Sequence, residues 1–270
     1  MNGPAAAPAP ISGETPRQRR RLGWGGPLAT AVVALLVLWA WEGAGPDFAR
    51  LAESGPRIAD FVGRMWPPDT TVLPVVVQAS VETLHIAVIG TFASVVLSLV
   101  LGVLAAASVT PGWLHSPVKA LLAGIRGIPL ILVAMLMVGA VGLGTTAGML
   151  AIAFHSTGML GKFYAESFEN VAAGPTAALE SVGAGRLQAL RFGAWPQIAP
   201  DLVRDTLFRF ELNLRDSLVL GLVGAGGIGF YIQTYIRAFQ YQKVATLTLV
   251  VLAFVILIEA TNQLVRRRLR

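Results

Sequence analysis

The chain has 270 residues, 54% of them hydrophobic and only 13% charged, and carries a formal net charge of +6. Soluble domains run nearer a quarter charged, so an ordinary soluble protein is excluded. The absence of cysteine removes disulfide frameworks, thiolate metal sites and cysteine nucleophiles.

The first element in chain order is residues 1–26, rich in Ala, Pro, Gly and Arg without an apolar period; it reads as a disordered, basic cytoplasmic tail. Residues 27–270 read as one membrane domain. Its first apolar block, Pro27–Trp41, follows four arginines within Arg17–Arg21 and lacks a good cleavage site, which predicts a retained anchor. Residues 42–73 mix acids with arginines and predict a polar external segment, with a short amphipathic helix before Pro67-Pro68. Further spans are expected at Val75–Ala107, Val118–Val141, Met149–Phe168, Leu202–Val223 and Val244–Leu264, because long apolar blocks cross lipid only as helices. Four more arginines lie within Arg266–Arg270. Positive charge beside a span marks the cytoplasmic face, so both termini are expected inside and the number of spans even. The expected fold is all-α with about six spans. Residues 108–117 and 169–200 then lie inside, and 42–73 and 224–243 outside. Basic residues that flank spans also argue against a nucleic-acid partner.

Gly224-Ala-Gly-Gly-Ile-Gly229 has the glycine spacing of a dinucleotide fingerprint, but a span precedes it and the next acid is Glu259. The fingerprint needs a preceding strand and an acid about twenty residues on. Gly224, Gly226, Gly227 and Gly229 therefore read as a tight external turn. Gly161-Lys162 lacks the spacing and the Ser or Thr of a phosphate loop, so the chain has no ATPase site of its own. Three histidines, His85, His115 and His155, lie thirty residues or more apart and suggest no metal site.

The fifth span carries Asp201, Arg204, Asp205, Arg209, Glu211, Asn213, Arg215 and Asp216. Charges at membrane depth must face protein or water. At 100° per residue, Asp205, Arg209, Asn213 and Asp216 form one stripe, and Arg204, Glu211 and Arg215 a second. Two readings stand. In one, the stripes are internal ion-pair networks, with Asp205–Arg209 and Glu211–Arg215 as i,i+4 pairs. In the other, Arg209 and Asn213, with Glu211 and Arg215, line a path for an oxyanion, which suits the planar donors of arginine. Lys162 is expected to pair with Glu166 one turn on, and His155 to be a packing residue.

The segment Pro175–Pro196 resembles the cytoplasmic EAA loop of binding-protein-dependent ABC importers, with Gly183 thirteen positions before Pro196. Ala178, Gly183, Arg186 and Pro196 are its candidate ATPase-coupling positions; Ala177 stands where the motif's Glu is usual, and Trp195 where Leu is usual. Trp66-Pro-Pro-Asp69, Arg126-Gly-Ile-Pro129, His155–Lys162 and Arg209–Gly229 resemble the phosphonate permease branch. The resemblance spans about residues 60–265. It implies a MetI-like type I importer fold and a homodimer of this chain with two ATP-binding subunits and an external substrate-binding protein. ATP and Mg would sit on the ATPase partners, with no cofactor on this chain. The implied cargo is phosphonate, phosphite or phosphate. Alternatives are a permease for an amino acid such as methionine, whose branch shares the loop, and a non-transporting scaffold or channel subunit. An intramembrane enzyme lacks any Ser–His pair, paired carboxylates or metal spacing.

Overall fold

The computed structural model describes residues 25–45 and 47–268, almost all of them helical. The tail expected at residues 1–26 lies outside the described residues apart from Gly25 and Gly26. The chain divides after Ala59 into a small N-terminal unit and a large one that begins at Asp60.

In the first unit, α1 (Gly25–Ala44) reaches about 30 Å at 1.5 Å per residue, the thickness of a hydrocarbon core. It is apolar all round and exposed along its described length, which suits lipid. α2 (Phe48–Arg64), which runs past Ala59 into the large unit, is amphipathic, as expected, with Phe48, Ala52, Ile58 and Val62 on one face and Arg50, Arg57 and Asp60 on the other. Its first turn is capped by Asp47, whose carboxylate accepts the Arg50 N–H at 2.8 Å.

The large unit is built around α3 (Leu73–Ala105) and α6 (Thr145–Glu169). Small residues bring them together, as in membrane bundles, where close backbone approach replaces the hydrophobic drive. A Cβ on Gly90 would lie 2.7 Å from Ile152, and one on Gly102 2.8 Å from the Cβ of Tyr164. α4 (Gly112–Gly127) leans on the other side of α6, where Gly158 and Gly161 admit Ile125 and Leu122.

The expected third span, Val118–Val141, is not one helix. α4 and α5 (Leu130–Val141) meet at a bend of 89°. Pro129 has no N–H to continue the helix and forces the residue before it out of the helical region. Ile128 accordingly sits at φ −85°, ψ 123°.

The polar stretch 169–200 is helical too. α7 (Ala173–Ser181) is followed by a turn, by α8 (Arg186–Ala189) and by a π turn at Leu190–Ala194 that runs straight into α9 (Trp195–Leu220). The fifth span thus begins earlier than Leu202. A helix, α10 (Ile228–Arg237), occupies much of the expected loop 224–243, ahead of α11 (Tyr241–Arg268).

Among the described residues, four helical stretches qualify as spans by length and apolarity, or five if the bent pair counts as one. α6 falls short of the six expected. Its Thr, Gly, Ser and His residues suit a helix enclosed by neighbours rather than by lipid, and Ala151, Ile152, Ser156, Leu160 and Tyr164 are buried.

Hydrogen bonds define two ends. At the distal end, Asp69 accepts from Thr71 N–H at 2.9 Å and its backbone bonds Gln242 and Thr246 at the start of α11. There Gly144 N–H also donates to Gly224 at 3.0 Å. At the basal end, the Ala107 N–H donates to Glu169, and Ser108 to Phe168 O. Residues of the expected segments 108–117 and 169–200 thus meet at one end, and Asp69 of 42–73 meets residues of 224–243 at the other.

Candidate functional site

The buried stripe of α9 forms a polar junction between three helices. Asn213 has no exposure; its side-chain oxygen accepts from Ser156 Oγ at 2.7 Å and its nitrogen donates to Thr91 Oγ1 at 2.9 Å. Arg209, 4% exposed, donates from Nε to Ser156 Oγ at 3.0 Å and pairs with Asp216 at 3.5 Å. α3, α6 and α9 are thereby tied at one level by groups that satisfy each other. Arg209 and Asn213, two of the four residues expected along an oxyanion path, are enclosed within the protomer.

The expected Asp205–Arg209 pair does not form. Ser156 draws the Arg209 guanidinium toward Asp216, and Asp205 is taken by Arg204 at 3.1 Å, which also holds Asp201 at 2.8 Å. Glu211 and Arg215 lie apart from this junction, in a small cleft with Glu259 of α11. The Lys162–Glu166 pair is present at 3.3 Å. His155 is not fully satisfied: its buried Nδ1 has no hydrogen-bond partner.

A second charged site lies between α4 and α6, in a cavity of about 210 Å³ lined by Lys119, Arg126, Lys162, Glu166 and Glu169. Glu169, at the foot of α6 beyond its apolar run, accepts from the Ala107 N–H at 2.7 Å and from Lys119 Nζ at 2.8 Å. Those two donors, the backbone N–H first, hold its carboxyl below the usual range. Arg126 has no ion pair or hydrogen bond from its side chain among the described residues. An arginine facing lipid at the centre of a bilayer costs about 2.5–3.5 kcal/mol. The sequence signal for this site was the Arg126–Pro129 stretch: the proline that breaks the span also ends α4 just past the arginine.

At the basal end residues 173–196 fold as a hairpin of short helices. The Gly183 N–H donates to Glu180 O and the Ala184 N–H to Leu179 O, each at 3.0 Å, which closes α7 with a Schellman motif. Gly183 has φ +86°, so the glycine there answers a left-handed backbone. Gly193 packs on Thr176, where a Cβ would meet Cγ2 at 2.9 Å. Gln197 bridges the arms, accepting from Ala172 N–H at 3.1 Å and donating to Gly193 O at 2.7 Å. Ala178, Gly183 and Pro196 are exposed, and Arg186 opens α8. α7 has no buried residue, while Val182 is 80% and Leu187 83% exposed.

The glycines at the distal end form a tight turn. Gly224, Gly226 and Gly227 have positive φ, and the Ile228 N–H donates to Thr83 Oγ1 at 2.9 Å. A Cβ on Gly229 would collide with the carbonyl of Leu218.

The hairpin carries exposed apolar side chains and runs without interruption into the charged helix α9. The model of one family, described as the binding-protein-dependent transport system inner membrane component, matches residues 98–270. The chain belongs to that family. The permease is 36% identical over 252 residues to the phosphite transport system permease protein PtxC of Stutzerimonas stutzeri, with 92% of each chain covered. It is 37% identical over 221 residues to the phosphate-import permease protein PhnE of Mycolicibacterium smegmatis, covering 80% of this chain and 41% of that one. Among solved structures, an inward-facing MetNI methionine ABC transporter matches with a TM-score of 0.64 at 22% identity, over 75% of the permease and 99% of that chain. An amino acid ABC transporter matches with a TM-score of 0.62 at 17% identity, over 73% and 95%. At these identities the structural likeness is one of fold, the all-α MetI-like architecture. The permease is an inner-membrane transport subunit that works with ATPase and substrate-binding partners and is not itself the ATPase.

Proposed function

We propose that the permease passes a phosphorus oxyanion (phosphonate, phosphite or phosphate) into the cytoplasm, as a dimer of this chain powered by two ATPase subunits and fed by an external binding protein. The observation that carries this reading is the similarity to a phosphite transport permease along 92% of the chain. ATP and magnesium belong to the ATPase subunits, and this chain holds no cofactor. The arginines of both termini favour the cytoplasm, so the basal end faces the ATPases and the distal end the binding protein.

The coupling geometry supports the mechanism. The uncovered side chains of Val182, Leu187 and Phe192 suit a groove on the ATPase, with Ala178, Gly183, Arg186 and Pro196 shaping the hairpin that presents them. α8, the π turn and α9 run on without a break, so displacement of the hairpin moves α9 as a rod. Arg209 and Asn213 carry that motion to α3 and α6 through their shared contacts with Ser156 and Thr91.

The test is ATP-driven uptake by proteoliposomes that contain the permease, its ATPase and its binding protein. Labelled 2-aminoethylphosphonate, phosphite, phosphate and methionine are offered in parallel. Uptake of a phosphorus oxyanion that needs both partners supports the reading. Uptake of methionine alone overturns the substrate class.

A further inference from the structure

We propose that the cavity between α4 and α6 is the oxyanion contact of the permease, with Arg126 as its open cation and Lys162 as a second. The proposal deepens the phosphorus-oxyanion reading and rests on it.

Three observations meet at this cavity. The first is depth. The Arg126 backbone nitrogen lies 2.9 Å from where a Cβ on Gly158 would stand. Gly158 is eleven residues above Glu169, the foot of α6, about 16 Å at the helical rise and near the middle of a hydrocarbon core of about 30 Å. Arg126 is exposed on the protomer and its side chain has no partner among the described residues, so at this level it faces water or a second copy of the chain, not acyl chains.

The second observation is charge. Lys119, Arg126 and Lys162 outnumber Glu166 and Glu169 around one cavity of about 210 Å³, which has room for a tetrahedral oxyanion and water. Lys119 is committed to Glu169 at 2.8 Å, whereas Lys162 and Glu166 are 3.3 Å apart with side chains 48% and 49% exposed. That pair is loose and open to solvent, and its ammonium is free to turn to an anion. The third is how the cavity is built. Gly158 and Gly161 let α4 lie directly on α6, and the Pro129 break turns the chain away just past Arg126. The guanidinium is left at a rim with no continuing helix over it, and its planar donors match phosphoryl oxygens.

A phosphoryl oxyanion at this place has two sources, the transported ion and a lipid headgroup, and the experiment separates them. The assembled transporter is reconstituted in phosphatidylcholine vesicles and in vesicles that also hold phosphatidylglycerol. Phosphate uptake and binding-protein-stimulated ATP hydrolysis are both measured for wild type, Arg126→Gln, Arg126→Lys and Lys162→Gln. Loss of a charge-assisted hydrogen bond predicts uptake at least about tenfold lower for Arg126→Gln, with ATP hydrolysis retained. Arg126→Lys restores part of the uptake, and Lys162→Gln raises the KM for uptake, in both lipids.

Wild-type uptake by Arg126→Gln overturns the proposal, as does a parallel fall of uptake and hydrolysis in Arg126→Gln and Arg126→Lys alike. A defect seen only with phosphatidylglycerol assigns the site to a headgroup and also overturns it. Failure of the wild-type transporter to take up any phosphorus oxyanion defeats the underlying reading instead.

Discussion

Replacing Arg209 with methionine separates a structural lock from a contact with cargo. The substitution keeps an apolar stem in a position that is 4% exposed and removes the guanidinium bonds to Ser156 and Asp216. An interhelical hydrogen bond inside a membrane bundle contributes about 0.6 kcal/mol on average. Stranding the Asp216 carboxylate costs about 1–2 kcal/mol, toward the low end for a charge, since its side chain is 34% exposed and the pair is 3.5 Å apart. Together these give about 2 kcal/mol, a fall in melting temperature of about 4–8 °C for a chain of this size. The measurement is thermal unfolding of the detergent-purified permease followed by tryptophan fluorescence. Asp216→Asn added to Arg209→Met recovers part of the loss, because the stranded charge is then gone. If Arg209→Met melts with the wild type while uptake is abolished, the lock reasoning fails and the guanidinium acts on cargo.

Gly183→Asp keeps the protein in the membrane but uncouples ATP hydrolysis from uptake, because an L residue at φ +86° strains the turn that closes α7 by about 1–2 kcal/mol; comparing uptake with ATP hydrolysis in proteoliposomes checks it. Gly102→Val drives α3 off α6, since even a Cβ would stand 2.8 Å from that of Tyr164, and lowers stability by about 1–3 kcal/mol in the same unfolding assay. The Glu169 carboxyl binds its proton less tightly folded than unfolded, so its contribution is present above the ordinary carboxylate range and is lost as pH falls through its lowered folded-state value. Glu169→Gln therefore flattens the acid limb of a stability-against-pH curve, and an unchanged limb would count against the Ala107 and Lys119 contacts.

Much of the fold was legible from residue type alone. The apolar blocks at α1, α3, α9 and α11 had to be helices in lipid, because nothing else there satisfies the backbone. The charges of α9 had to be covered, and the amphipathic run of α2 needed no partner to be read. Those conclusions depend on the period and chemistry of short stretches, which a sequence carries directly.

What needed the tertiary structure was which helix covers which face. Periodicity put Arg209 and Asp205 on one stripe, yet Ser156, fifty-three residues away, turns the guanidinium to Asp216 instead. Asn213 could be read as a path residue until α3 and α6 closed over it with Thr91 and Ser156. Val118–Val141 read as one span; the 89° bend at Pro129 and the meeting of Arg126 with Lys162 in one cavity became visible only with α4 resting on the glycines of α6. Side-chain partners across helices depend on how backbones approach, and that is settled by packing over the whole bundle rather than within any one segment.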